Sequence, residues 1–229
     1  ADIDISPEYD GQRDIVVGTR DTDPTEYGDV HIATSAMWTS WLDQGLDWDV
    51  STVRFSPDYV SDETVVAVAS NSVATYLCTG YHNSDDNTTN WTNWTDPPDP
   101  DFVEIAELDE DAPTEDEIIF SDLEFLPGYN GDEASQRELF VSYTSTSPNE
   151  TDDIYFIEHT EVTRLRVDRG SDIEIYTIDY SRGTLMAGEV LADGEDGQAL
   201  LHFCDNPTEV YVDWYEPEEK PPSGGYGNE

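Results

Sequence analysis

Lysine is nearly absent from this chain. Lys220 stands alone beside eight arginines, against 53 Asp and Glu, giving a net charge of −44 over 229 residues. Phosphate recognition needs clustered Lys and Arg, so nucleic acid is excluded as a natural partner. An anionic membrane surface is disfavoured for the same reason. Nor is there an apolar run near the ~18 residues that a membrane-spanning helix needs. Cysteine is scarce: Cys78 and Cys204 are the only two. A lone pair in an oxidising compartment invites a disulfide. Both, however, fall in third strands of separate repeats, beyond the about 7 Å reach of a bridge, so buried free thiols are expected. The G-x-S-x-G, P-loop, H-E-x-x-H and EF-hand patterns are all missing, and no reaction is legible.

Aromatic residues are plentiful. Six Trp, thirteen Tyr and seven Phe make up 11% of the chain, far more than a solvating acidic tail carries, and enough for a sizeable core. The acid therefore belongs to a folded body. It keeps that body hydrated in high salt, or some of it coordinates divalent cations through oxygen ligands. For calcium the sequence offers Asp193, Glu195 and Asp196 in a Gly-rich turn. A second loop has Asp21, Asp23, Glu26 and Asp29, and a third runs from Asp109 to Glu117. In so acidic a chain such clusters also arise by composition alone. Among the four histidines, His202 and Cys204 share a strand face, but satisfied strand histidines are the plainer reading of all four.

Asn87, Asn90, Asn93 and Asn149 each begin an N-x-Ser/Thr acceptor. Nine Asn and 39 Ser or Thr would give about one or two by chance. Three of the four step by three residues into the Pro-rich run 97–100. A polyproline II segment has three residues per turn and would align them on one side. Glycosylation at these four positions, and with it an extracellular or cell-surface location, is the expectation. Ala1 opens on an Asp/Ile alternation without a basic or apolar leader, so an exported protein would be numbered here as a processed or partial chain.

Internal repetition sets the fold class. Ile3–Tyr9, Val53–Tyr59 and Leu123–Tyr129 each read as an alternating strand followed by a turn, and Ile178–Gly183 is a degenerate fourth copy. A second apolar strand follows each, then two further strand-like runs, with no helical period. Ser6, Ser56, Leu126 and Ser181 hold equivalent places, 50, 70 and 55 positions apart. The pattern predicts an all-β chain of four four-stranded, propeller-type blades at about 1–48, 49–102, 118–170 and 171–215. An insertion at 81–117 lengthens the second repeat, and a Pro/Gly/Glu-rich tail or linker occupies 216–229. Four blades form a small or an incomplete propeller. Phe55, Val66, Phe125, Phe140, Tyr155 and Leu201 are expected between blades. Trp38, Trp41, Trp91 and Trp94 are expected in the core of fourth strands rather than stacked on sugars.

Ser56-Pro57-Asp58-Tyr59-Val60-Ser61-Asp62-Glu63-Thr64-Val65 resembles the repeat of secreted bacterial and archaeal propellers of the Asp-box type. The full Asp-box, Ser-x-Asp-x-Gly-x-Thr-Trp, does not occur. The resemblance implies an extracellular surface or binding module and no reaction. The sequence thus points to a non-catalytic surface glycoprotein, a subunit of a surface layer, sheath or filament. It would associate with itself or with another surface protein, with calcium as its candidate cofactor. A carbohydrate- or protein-binding module is the alternative, and a secreted glycosidase-like enzyme a third reading.

Overall fold

A computed structural model describes residues 1–22, 26–35, 38–71, 74–91, 102–107, 118–145, 152–167, 174–190, 199–208 and 214–215. Their regular structure is almost entirely antiparallel sheet. The first sheet runs β1 (Asp2–Ile5), β2 (Ile15–Gly18), β3 (Val30–Ala33), β4 (Leu42–Asp43). The second runs β5 (Asp49–Phe55), β6 (Thr64–Ser70), β7 (Ala74–Asn83), β8 (Thr88–Asn90), with β9 (Phe102–Glu107) also paired to β7. The third holds β10 (Ile118–Phe125), β11 (Glu138–Ser145), β12 (Asp153–Glu158) and β13 (Glu161–Arg164). The fourth holds β14 (Ile175–Ser181), β15 (Thr184–Val190), β16 (Ala199–Asp205) and β17 (Trp214–Tyr215). The α-helix α1 is one turn, Tyr59–Asp62.

The pairing reproduces the register read from the sequence. Ile5 faces Ile15, Phe55 faces Val65, Phe125 faces Leu139 and Tyr180 faces Leu185, each one residue before the equivalent turn. Successive side chains on a strand point to opposite faces. Val65 and Ala67 therefore pack with Val16, Val30 and Ile32 of the first sheet. Val66 and Val68, the alternate residues, pack with Leu139 and Val141 of the third. The far side of the third sheet, Phe140, Ile154 and Phe156, covers Ile178, Leu185 and Ala187 of the fourth. Three apolar seams thus join four sheets in chain order. At their inner ends β1 packs on β5, β5 on β10 and β10 on β14, while β14 and β1 share no comparable packing. The series is open.

Fourth strands differ from expectation. In the first sheet it is only two residues, Leu42–Asp43. In the second, the expected insertion at 81–117 instead contributes to the sheet. β8 pairs with Tyr81–Asn83 and β9 with Ala74–Cys78, so the fourth strand is divided between them. Trp91 is buried, whereas Trp38 and Trp41 are exposed. Leu201 is 50% exposed rather than covered.

Candidate functional site: stitched seams and two open faces

Of the four acceptor asparagines, Asn87 and Asn90 fall within the described residues. Asn93 and Asn149, and the calcium candidates Asp193, Glu195 and Asp196, lie outside the described residues. Asn87 ends the turn between β7 and β8 at φ 55° and is 3% exposed. Its amide nitrogen donates to the Ile32 carbonyl at 3.3 Å. That nitrogen is where a glycan would attach, and in the fold it is buried and hydrogen-bonded. Asn90 closes β8, where it is exposed. Extended strand geometry there replaces the expected three-residue period.

Several acids serve the interior. Ser6 Oγ accepts from the Asp14 amide at 2.8 Å, and Asp14 Oδ2 accepts from the hydroxyls of Tyr9 at 2.7 Å and Tyr59 at 3.2 Å. One carboxylate in the first sheet thereby holds the Ser-Pro-x-Tyr turns of the first and second repeats. Burial, and then the charge of Asp14, push the Tyr59 hydroxyl well above the usual range. In the next seam Asp62 accepts from Ser56 Oγ at 2.6 Å, Thr64 N at 3.0 Å and Gly131 N at 2.7 Å. A Cβ on Gly131 would lie 2.1 Å from Thr64 Oγ1, so this approach requires glycine. Lower in the sheets, Asp29 accepts from Val30 N and Leu46 N, and Asp153 accepts from Ile154 N and Val167 N. In the first and third sheets an aspartate at the start of the third strand thus ties down the segment after the fourth. Burial raises the pKa of both carboxyls. Both backbone donors reach the same oxygen of Asp29, Oδ1.

At the inner strands the charges cross the seams. Arg54 on β5 pairs with Asp2 of the first sheet and, at 3.1 Å, with Asp122 of the third. Asp4 accepts from Phe55 N at 2.9 Å, and Asp122 from Ile178 N at 3.1 Å. Glu124, half-buried beside Asp179 and Asp122, is raised to about 7, first by burial and then by those charges. His82, fully buried, is lowered to about 4 by burial. Its Nδ1 meets Thr89 Oγ1 at 3.1 Å. His202 Nε2 pairs with Glu189 at 2.7 Å rather than joining Cys204 at a metal. Cys78 and Cys204 are buried free thiols in different seams.

A cleft between the two Ser-Pro-x-Tyr turns, lined by Tyr9, Asp10, Tyr59, Val60, Glu63 and Ser84, holds about 180 Å³. That is smaller than typical substrate cavities of about 300 Å³ and upward. Among the described residues no three His, Cys, Asp or Glu side chains converge as metal ligands. None of the described helices is long and apolar enough to cross a membrane.

The remaining feature is the pair of end faces. On the first sheet Ile3 is 62% and Ile5 54% exposed, beside half-buried Ile15 and Val17. On the last, Leu201 lies beside half-buried Met186, Phe203 and Tyr215, the last two stacked at 5.9 Å between ring centroids. Strand alternation places these residues on one face each but says nothing of whether a neighbour exists. The buried aspartates were legible only as a repeated Asp before the third strands, Asp29-Val30 and Asp153-Ile154. No family model, characterised protein or solved structure matches this chain.

Proposed function

We propose that this chain is a non-catalytic structural glycoprotein of the cell surface: four propeller-type blades forming a subunit of a surface layer, sheath or filament. One observation carries the reading. A body of net charge −44 leaves apolar side chains open at both ends of its sheet series, where neighbouring subunits would meet. Elsewhere its acid keeps it hydrated and apart from other copies. Salt or calcium sets how closely such copies approach. Peptide mapping of native material, with surface labelling of intact cells, tests this reading. Glycan on Asn90, with Asn87 bare, is the expected result. Bare acceptors throughout, together with recovery from inside the cell, would overturn it.

A second reading, a carbohydrate-binding module, has its own support. Trp38 is 57% and Trp41 45% exposed, and indole faces stack on sugar rings. Retention on a glycan array, abolished by Trp41→Ala, would favour it.

A further inference from the structure

The four sheets share one register, which specifies what complements each open face. Ile3 and Ile5 occupy the places held by Val53 and Phe55 in the second sheet, Leu123 and Phe125 in the third, and Ile178 and Tyr180 in the fourth. Those six lie against the preceding sheet, whereas Ile3 and Ile5 have no preceding sheet. Leu201 pairs with Gly188 as Leu77 does with Val68 and Ile154 with Ser142. Leu77 is 4% and Ile154 0% exposed under the following sheet, against 50% for Leu201. The chain therefore carries the two halves of one seam, one at each end.

The halves match in detail. Gly18 is a notch: a Cβ there would lie 2.4 Å from Val50 Cγ1 and 3.4 Å from Val53 Cγ1 of the next sheet. Gly188 holds the equivalent place on the open face of the last sheet, and Ile3 the place of Val53, the farther of the two valines over Gly18. In the first seam Asp4 accepts the Phe55 amide. Asp179 stands at the position of Asp4, exposed, and Ile5 at the position of Phe55. In the third seam Phe140 packs on Tyr180 at 5.6 Å. Met186 and Ile5 are their counterparts.

We propose that two copies of the chain join head to tail at both junctions, the fourth sheet of each against the first sheet of the other, closing an eight-bladed ring. This rests on the structural reading above. One copy leaves β14 and β1 apart. Two give eight blades, the upper end of the usual range, and three would exceed it. A head-to-tail contact whose rotation closes makes a ring instead of a filament. Each copy carries −44, so the ring requires salt that screens the repulsion.

Light scattering after size exclusion, on the full chain in about 2 M sodium chloride, tests the ring. Twice the chain mass of 25.7 kDa is expected. Ile3→Asp and Leu201→Asp should each give monomer, weakening association at least about 100-fold by placing a carboxylate in an apolar seam. Both positions are exposed in the single copy, so circular dichroism should not change. An equimolar mixture of the two variants retains one unaltered junction and should recover a heterodimer. Val60→Asp, at a 57% exposed site away from both faces, should leave the dimer intact. Monomer at all salt concentrations overturns the ring, and so does an open polymer. A dimer sensitive to only one of the two variants would be face to face, which also overturns it. Glycan mapping reports separately: a glycosylated monomer removes the ring and leaves the surface reading, while an unglycosylated intracellular ring does the reverse.

Discussion

Among the described residues, the second and third sheets have neighbours on both sides and the first and fourth have one each. All four share a strand plan and a register, yet equivalent apolar residues range from fully buried to more than half exposed. Position in the series decides burial here, since Leu and Ile occur in both settings.

The largest effect should come from comparing Phe140 with Leu201. Phe140 is 0% exposed between the third and fourth sheets. Phe140→Ala should cost about 3–5 kcal/mol in denaturant unfolding, through lost burial and the cavity left. Leu201→Ala in monomeric protein should cost well under about 1 kcal/mol. Equal costs would mean that the last sheet is covered after all.

A middle-sized effect should separate seam carboxylates from surface ones. Asp62→Ala removes the acceptor for a hydroxyl and two backbone amides in a buried site and should cost about 2–3 kcal/mol. Asp10→Ala, on an exposed turn, should cost about 0.5 kcal/mol or less. Comparable values would return Asp62 to the general surface charge.

The smallest and most pH-dependent effect concerns Glu124. Its folded pKa of about 7 lies above the ordinary 4.5. The folded state therefore holds the proton more tightly, and stability is lost as pH rises from 4.5 through 7. Glu124→Gln should be more stable than the parent at pH 8 by about 1 kcal/mol, discounted for its half-exposed site and solvent screening. The advantage should vanish as pH falls to about 4.5. An advantage independent of pH would assign it to packing.

Much of this plan could be read from residues. The Ser6, Ser56, Leu126 and Ser181 register reappears in the strand pairs, because period-2 alternation and the turn chemistry are local signals. Fourth strands were read poorly. β4 and β17 pair over only two residues each, too short to imprint an alternation. Asn87 shows the other limit: a sequon is three residues of local text, whereas its burial depends on Ile32, 55 positions away. Leu201 failed for a related reason, since alternation assigns a face but no neighbour. The exposed tryptophans of the first repeat could not be told from buried Trp91 by composition.

The divided edge of the second sheet bears on how such a chain can lengthen over evolutionary time. β7 holds β8 at one end and β9 at the other, so both ends of the intervening stretch are anchored on a strand that is already formed. Closing that stretch costs little more as it grows, about 0.6 kcal/mol for each doubling. New sequence could therefore be grafted between Trp91, which stays in the core, and Phe102 without disturbing the register of any sheet. The same position would suit an inserted tag or epitope in engineered versions of the protein.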